Sequence, residues 1–448
     1  MAEWRRIKFK EVLKQYRNTH WVEDKNYRQV TISQTGEVSY RGTKHGSQIG
    51  RKRQFIIDLK THPNTLIFIR QGVFNGGIGI CPKEVDGCLV TENMPMFDIV
   101  NINPEYLIYY LKSPQFKREV DKLVPLGTAQ KAVHERQLLE IEIPLPSKDI
   151  QEKIIKQLNN NSKNIFELNS INNKNENYIV RLRQQILQEA VQGKLVKQDP
   201  KDEPAAELLK KIKAEKDKLI KEGKIRKEKP LPVISQDEIP FDLPKSWVWC
   251  RLGILSSPEN YSFVDGPFGS NLKREHYVEK GVRIIQLQNI GEGFWKEGKN
   301  VYTSEKKAEE LIRCNAYPGD LVIAKMAPVA RATIIPDLHK KYVLCSDCVR
   351  FKPHKSININ YIKYLLNSEI IRNIVILDST GMTRQRTSLG KLKMLTIPLP
   401  PLFEQKRIVE KVDKLMAYCD VLEKQVQENQ GNSEKLMVAV LKESFKNG

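Results

Sequence analysis

No stretch of the 448 residues approaches the roughly 20 consecutive apolar side chains that a bilayer-spanning helix needs. The opening residues Met1-Ala2-Glu3-Trp4-Arg5-Arg6 carry charge where a secretory leader carries its apolar core, so the expected compartment is the cytoplasm. Cysteine is sparse at seven, an odd and scattered set, which fits reduced thiols better than a disulfide framework. Histidine is equally sparse, and none of the seven falls beside a carboxylate and a nucleophile in the pattern that acyl transfer needs. No Gly-x-x-x-x-Gly-Lys-Ser/Thr loop is present, and Gly76-Gly77-Ile78-Gly79 does not follow that spacing, so ATP binding by this chain is not expected. Asn103-Pro104-Glu105-Tyr106 comes nearest to a methyltransferase signature but lacks the second proline, and reads better as a helix start. Cys345-Ser346-Asp347-Cys348 is a lone Cys-x-x-Cys with Cys314, His339 and His354 at a distance. Thr91-Glu92-Asn93-Met94 occupies the corresponding place earlier in the chain without a ligand pair, so small thiols in a buried strand are expected rather than zinc. The chain is expected to hold no catalytic residue, metal or cofactor of its own.

What the sequence has in excess is positive charge. Lys and Arg number 74 against 54 Asp and Glu, a net charge of +20. Residues 1–146 carry 22 basic and 16 acidic side chains and residues 246–401 carry 23 and 14. Residues 147–193, 194–245 and 402–448 are nearly balanced, so a simple basic tail is excluded. Two globular blocks with surplus cations point to two surfaces facing a polyanion, and nucleic acid is the first candidate.

The same two blocks are repeats of one another at an offset near 254 residues. Ile143-Pro144-Leu145-Pro146 recurs as Ile397-Pro398-Leu399-Pro400. Tyr106-Leu107-Ile108-Tyr109-Tyr110-Leu111 aligns with Tyr361-Ile362-Lys363-Tyr364-Leu365-Leu366, and Thr65-Leu66-Ile67-Phe68-Ile69-Arg70 with Asp320-Leu321-Val322-Ile323-Ala324-Lys325. Trp4-Arg5-Arg6-Ile7 is matched with Trp249-Cys250-Arg251-Leu252. Within each copy, short β-branched and aromatic runs (66–69, 89–90, 321–323, 342–344) read as strands, and 105–111 and 361–366 as helices. The expected fold is α/β: two repeated domains, 1–146 and 246–401, separated by a pair of long antiparallel coiled-coil helices, 147–193 and 402–448. The Ile-Pro-Leu-Pro segments read as extended exits, because proline cannot continue a helix.

Both helices carry the same apolar phase. Ile408, Val412, Leu415, Cys419, Leu422, Val426, Asn429, Ser433, Leu436 and Val440 step by fours and threes, the seam of a coiled coil. Subtracting 254 gives Ile154, Leu158, Asn161, Ile165, Leu168, Asn172, Asn175, Ile179, Leu182 and Ile186. The shared phase predicts mutual pairing, with the asparagines fixing register. Residues 194–245 form a charged connector whose 14 basic and 11 acidic residues nearly cancel, read as a solvated helix and linker.

Basic residues in polar or glycine-rich segments are the candidate contacts. Arg41 and Lys44 lead into Arg51 and Arg53, and Lys273 and Arg274 follow Gly266-Pro267-Phe268-Gly269-Ser270. Lys131 matches Arg384 and Arg386 in repeat position, Arg70 matches Lys325, and Arg331 faces a glycine in the other copy. Guanidinium and ammonium groups in such places suit phosphates and guanine edges.

This combination resembles the specificity subunit of type I restriction-modification systems. The likeness is carried by Ile397-Pro398-Leu399-Pro400-Pro401-Leu402-Phe403-Glu404-Gln405-Lys406-Arg407-Ile408, by the segment from Leu182 to Val196 with Asp202-Glu203-Pro204-Ala205, by Leu243-Pro244-Lys245-Ser246-Trp247, and by Gly266-Pro267-Phe268-Gly269-Ser270. With the repeat it covers essentially the whole chain; Ser147-Lys148-Asp149-Ile150 departs from the family pattern at the first helix start. The resemblance implies two domains that each read half of a split target in double-stranded DNA, and a helix pair that sets the gap. It also implies two adenine methyltransferase (modification) subunits using S-adenosylmethionine, and restriction subunits that use ATP and Mg to translocate and cut. Two other readings are carried beside it: a noncatalytic scaffold that recruits partners through its helices, and a fused nuclease or methyltransferase.

Overall fold

The computed structural model describes residues 4–124, 132–227, 229–380 and 385–446. They form two compact units, one running to Asn175 and resuming at Gln425, the other Glu176–Lys424. Each unit therefore holds one globule together with half of each long helix.

The first unit opens with β1 (Arg5–Lys8), β2 (Leu13–Tyr16), β3 (Thr19–Trp21), β4 (Asn26–Ile32), β5 (Val38–His45), β6 (Arg53–Ile56), β7 (Thr65–Phe68), β8 (Ile78–Ile80), β9 (Leu89–Val90) and β10 (Met96–Ile99). Helices α1 (Pro104–Leu111), α2 (Pro114–Asp121) and α3 (Glu135–Leu139) follow, then β11 (Glu142–Leu145) and the long α4 (Lys148–Val191). Helix α5 (Ala205–Lys221) precedes the second globule, whose strands are β12 (Val248–Arg251), β13 (Phe263–Asp265), β14 (Tyr277–Val278), β15 (Val282–Ile285) and β16 (Tyr302–Thr303). After α6 (Glu305–Glu310) come β17 (Asn315–Ala316), β18 (Leu321–Ala324), β19 (Ala332–Ile334), β20 (Tyr342–Leu344) and β21 (Cys348–Phe351). Helices α7 (Ile359–Asn367), α8 (Glu369–Leu377) and α9 (Leu389–Met394), strand β22 (Thr396–Leu399) and α10 (Leu402–Ser444) complete the chain.

Each globule has a two-, a four- and a five-stranded sheet. The four-stranded orders β2-β10-β7-β8 and β13-β21-β18-β19 correspond, and in each five-stranded sheet one pairing is parallel, β4 with β9 and β15 with β20. The Ile-Pro-Leu-Pro segments are strands: β11 pairs with β1 and β22 with β12. That register corrects the sequence match at the start of each copy. Arg5 opposes Leu145 and Val248 opposes Leu399, so Trp4 corresponds to Trp247, two residues before Trp249.

Small polar bonds repeat as faithfully as the strands. Asn103 and Asn358 cap α1 and α7. Gln151 accepts from the Asn103 N–H at 3.0 Å and donates to the Pro146 carbonyl at 2.9 Å; Gln405 does the same with Asn358 and Pro400, at 2.9 Å each. Tyr106 and Tyr361, both buried, donate to the Pro144 and Pro398 carbonyls. A buried hydroxyl or amide left unpaired costs about 1–3 kcal/mol, so these bonds fix the angle at which each globule meets its helix. The altered start at Ser147 leaves the geometry unchanged, since α4 and α10 begin at repeat-matched residues.

Helices α4 and α10 run antiparallel. In the first unit Ile154, Ile155 and Leu158 share a core with Leu441 and Phe445, and Phe445 packs edge-on to Tyr106 and Tyr110. In the second unit Arg183 bridges Asp420 at 2.6 Å and Glu423 at 2.9 Å. The heptad seam holds at Ile154, Leu158, Ile165, Ile179 and Ile186, and at Ile408, Val412 and Val426, all buried, with Leu415 and Val440 half-buried. It fails at Leu168, Leu182, Leu422 and Leu436, which are 43–48% exposed. One line of the seam keeps the seven-residue repeat in both helices, buried at Leu158, Ile165, Asn172, Ile179 and Ile186 and at Val412, Cys419, Val426 and Ser433, while the other line turns outward after its first apolar residue, Ile154 or Ile408.

The connector is less solvated than its charge suggests. Ala205, Leu208 and Ile212 of α5 are buried, Lys216 donates to the Ile254 carbonyl at 2.9 Å, and Glu215 pairs with His354 and Lys355. Its balanced charge reflects one apolar face fastened to the second globule by polar groups along its edge. Among the described residues no helix is long and apolar enough to cross a membrane.

Candidate nucleic-acid interface

In the first unit the strand carrying Arg70 is placed by two backbone bonds: the Arg70 N–H donates to Asn93 O, and its carbonyl accepts from Val133 N–H. The second unit repeats them, with Lys325 N–H on Asp347 O and Lys325 O accepting from Thr387 N–H. The end of this strand is therefore the same construction site in both globules.

Around it in the first unit lie two adjoining clefts. The larger, about 420 Å³, has Ile49 and Leu89 at its floor and Gln29, Lys44, Arg53 and Gln54 on its walls. The smaller, about 110 Å³, shares Arg53 and Glu92 and reaches Arg70 and Glu135. Strand β4 faces Gly42 of β5 across from Gln29, with a bulge just beyond, so no side chain covers the Gln29 amide from that strand. The buried Gln54 amide donates to the Arg51 carbonyl at 2.8 Å.

The candidate cations separate by what already neutralises them. Arg41, Lys44 and Arg53 are exposed and have no ion pair or side-chain hydrogen bond among the described residues; Lys273 and Arg274 share that state in the second unit. Arg51 is exposed but pairs with Glu92 at 2.5 Å, and Arg386 pairs with Asp347 at 2.6 Å. Arg70 is tied to Glu135. Burial pushes the Glu135 carboxyl up and is the largest single influence, but the Arg70 hydrogen bond and charge, a backbone hydrogen bond and the neighbouring His134 together leave the group below its ordinary value. Lys325 is buried and pairs with buried Asp265 at 3.4 Å. Arg331 is half-buried, donates to the Leu287 carbonyl at 2.8 Å, and is lowered in pKa by its burial. Lys325 is thus a structural cation rather than a free contact, and Arg70 and Arg331 are held inward. The physical reason is that a strand end beside a carboxylate satisfies the cation locally. Lys131 and Arg384 lie outside the described residues.

In the second unit the loop Gly266-Pro267-Phe268-Gly269-Ser270 stands on this frame. Gly266 N–H donates to Cys348 O at 3.0 Å, and a Cβ on Gly266 would come within 1.9 Å of the Cys345 carbonyl, so only glycine fits there. Cys345 and Cys348 face each other in the adjoining turn with sulfurs 3.5 Å apart. Among the described residues no three His, Cys, Asp or Glu groups gather as metal ligands.

The sequence reading missed Gln29 and Gln54, because they lie on strands and only the sheet brings them to one cleft. Primary amides of this kind make paired hydrogen bonds to adenine, as arginine does to guanine.

The comparisons with known proteins bear on this construction. Residues 280–430 match the family described as type I restriction modification DNA specificity domain. The EcoAI type I restriction enzyme specificity subunit of Escherichia coli is 30% identical over 405 residues, covering 79% of this chain and 66% of that protein. The EcoEI specificity subunit of Escherichia coli is 32% identical over 257 residues, 56% of this chain and 42% of its own length. The chain thus spans about two thirds of the first relative and less than half of the second. Among solved structures, a chain from a study of assembly and conformational transition of the type I R-M system is similar with a TM-score of 0.59 at 19% identity, over 99% of this chain and 98% of that one. The HsdS subunit from Thermoanaerobacter tengcongensis gives 0.51 at 19%, over 99% and 96%. At that identity the shared property is the fold. The chain belongs to the family of type I restriction-modification specificity subunits.

Proposed function

We propose that this chain is the DNA-recognition subunit of a type I restriction-modification complex, each globule reading one half of a bipartite duplex target and the helix pair setting the spacer. The observation that carries this reading is the repeated strand-end frame, with exposed, unpaired cations beside it in both units: Arg53 and Lys44 in one, Lys273 and Arg274 in the other. Phosphate contacts from these groups position each globule, while the Gln29 and Gln54 amides supply base-edge chemistry.

The chain is noncatalytic and holds no cofactor; S-adenosylmethionine, ATP and Mg belong to its partners, adenine methyltransferase subunits and ATP-dependent restriction subunits, in the cytoplasm. Two modification subunits are favoured by the four outward leucines. Leu168 corresponds to Leu422 and Leu182 to Leu436 at the 254-residue offset, so each unit carries one pair, Leu168 with Leu436 and Leu182 with Leu422. Equivalent apolar spots of this kind suit two copies of one partner. A scaffold without DNA recognition would share those leucines but has no use for the amide-lined cleft.

Mapping methylated adenines in the source genome with and without this chain tests the proposal. Loss of one split motif on deletion is the expected result. An unchanged set of methylated sites, with partner subunits expressed, would refute it.

A further inference from the structure

The exposed surface beside each strand-end frame carries an aromatic ring that the DNA-reading proposal has not used. Phe268 is 60% exposed, a large apolar side chain placed in solvent on a loop that is anything but loose. The loop is tied through Gly266 to Cys348, as above. Beneath the ring lies the Lys325 ammonium, 5.3 Å from its centroid. Lys325 is itself buried and held by Asp265, so this cation is a fixed support for the ring. Lys273 and Arg274, exposed and unpaired, follow in the same loop.

The first unit has a counterpart. Phe97 and Phe351 are 254 residues apart; Phe97 opposes Gln15 on β2 and Phe351 opposes Phe263 on β13. Six residues past Gln15 comes Trp21, 66% exposed, and five past Phe263 comes Phe268. Trp21 opposes Arg53, the unpaired arginine shared by both clefts. Each globule therefore presents a strongly exposed ring a few residues beyond the matched strand pair, on β3 in the first unit and in a loop in the second, with cations without partners close by in the chain or across the strand. Phe294, also exposed, differs: Glu292 and Glu297 flank it, and both are occupied by arginines of the same unit.

We infer that Phe268 and Trp21 each make an aromatic base contact in their half-site, packing a ring face on a base or wedging into a base step, while the neighbouring cations hold phosphates. This rests on the DNA-recognition proposal and deepens it. A phenyl ring has nothing to offer a phosphate, and a rigid apolar group among cations meets the apolar parts of a duplex, which belong to its bases.

The test uses the full chain assembled with its modification subunits and a duplex carrying the split motif found by adenine mapping. Affinity is measured by fluorescence anisotropy across a range of salt. F268A is expected to weaken target binding by roughly tenfold or more with the slope against log salt unchanged. R274A should instead make that slope shallower by about 0.9. A 2-aminopurine placed in the second half-site should brighten on binding of the unaltered complex and stay dim with F268A; W21A should act likewise on the first half-site. F268L keeps an apolar side chain at the site, and equal thermal melts of the four variants exclude misfolding. Target binding by F268A equal to the unaltered complex overturns the inference. So does normal DNA binding with failed assembly, which would give the ring to a protein partner. If the unaltered complex has no sequence preference, the recognition proposal itself fails, a result distinct from either.

Discussion

Lys325 and Arg70 end matched strands, and both cations are held by carboxylates, Asp265 and Glu135. For the buried Lys325–Asp265 pair this makes an unequal prediction. D265N leaves an ammonium buried without its counter-charge and should cost about 3–5 kcal/mol, whereas K325M, of similar volume, leaves Asp265 still paired with Arg313 at 3.2 Å and should cost less; thermal melts of both variants check it. Arg251, also buried, is held by Glu238, whose carboxyl is lowered to about 2 chiefly by the Arg251 hydrogen bond. A carboxylate depressed on folding stabilises above its unfolded pKa of about 4.5, and that contribution is lost as pH falls toward 2. Acid unfolding followed by circular dichroism should therefore show a component between pH 4.5 and 2 that E238Q removes. None of these partnerships was visible in the sequence, which shows the charges and their repeat positions but not which carboxylate folds back on which cation.

Among the elements, the two long helices were the most legible, since their length, shared phase and matched starts all follow from apolar periodicity. Only one of the two seam lines is buried along its length, and the four leucines of the other line turn outward. L182S with L422S should leave the thermal melt nearly unchanged, since exposed substitutions fall within about 0.5 kcal/mol. It should also reduce the modification subunits bound per chain from two to one in native mass spectrometry. L168S with L436S should do the same, and all four together should release both. Binding of two subunits by the fourfold variant would show that the helices dock them elsewhere.

At the scale of the molecule, the proposed spacer role makes a geometric prediction. Inserting 21 residues after Asn175 and after Lys424, as three heptads of the buried line, lengthens each helix by about 32 Å and keeps its buried face in phase. That is close to the 34 Å of ten base pairs, so adenine mapping should return the same two half-sites with a spacer about ten base pairs longer. A two-heptad insertion of 14 residues advances the target by about six base pairs and turns the second half-site to the far side of the duplex, so methylation should be lost.

The duplicated architecture, the helix pair and the surplus of cations in two blocks were determined by the sequence, because repeats, periodicity and charge are properties of residue order. Which cations stay free was decided only by the tertiary structure. Arg53 and Lys273 face solvent while Lys325 and Arg70 are neutralised, and that depends on carboxylates as far as 65 residues away. The same holds for Gln29 and Gln54, which share a cleft because β9 lies between their strands, and for Phe268, whose loop is anchored at Gly266 with Lys325 beneath the exposed ring. Long-range pairing brings these groups together, and no local pattern in the chain encodes it.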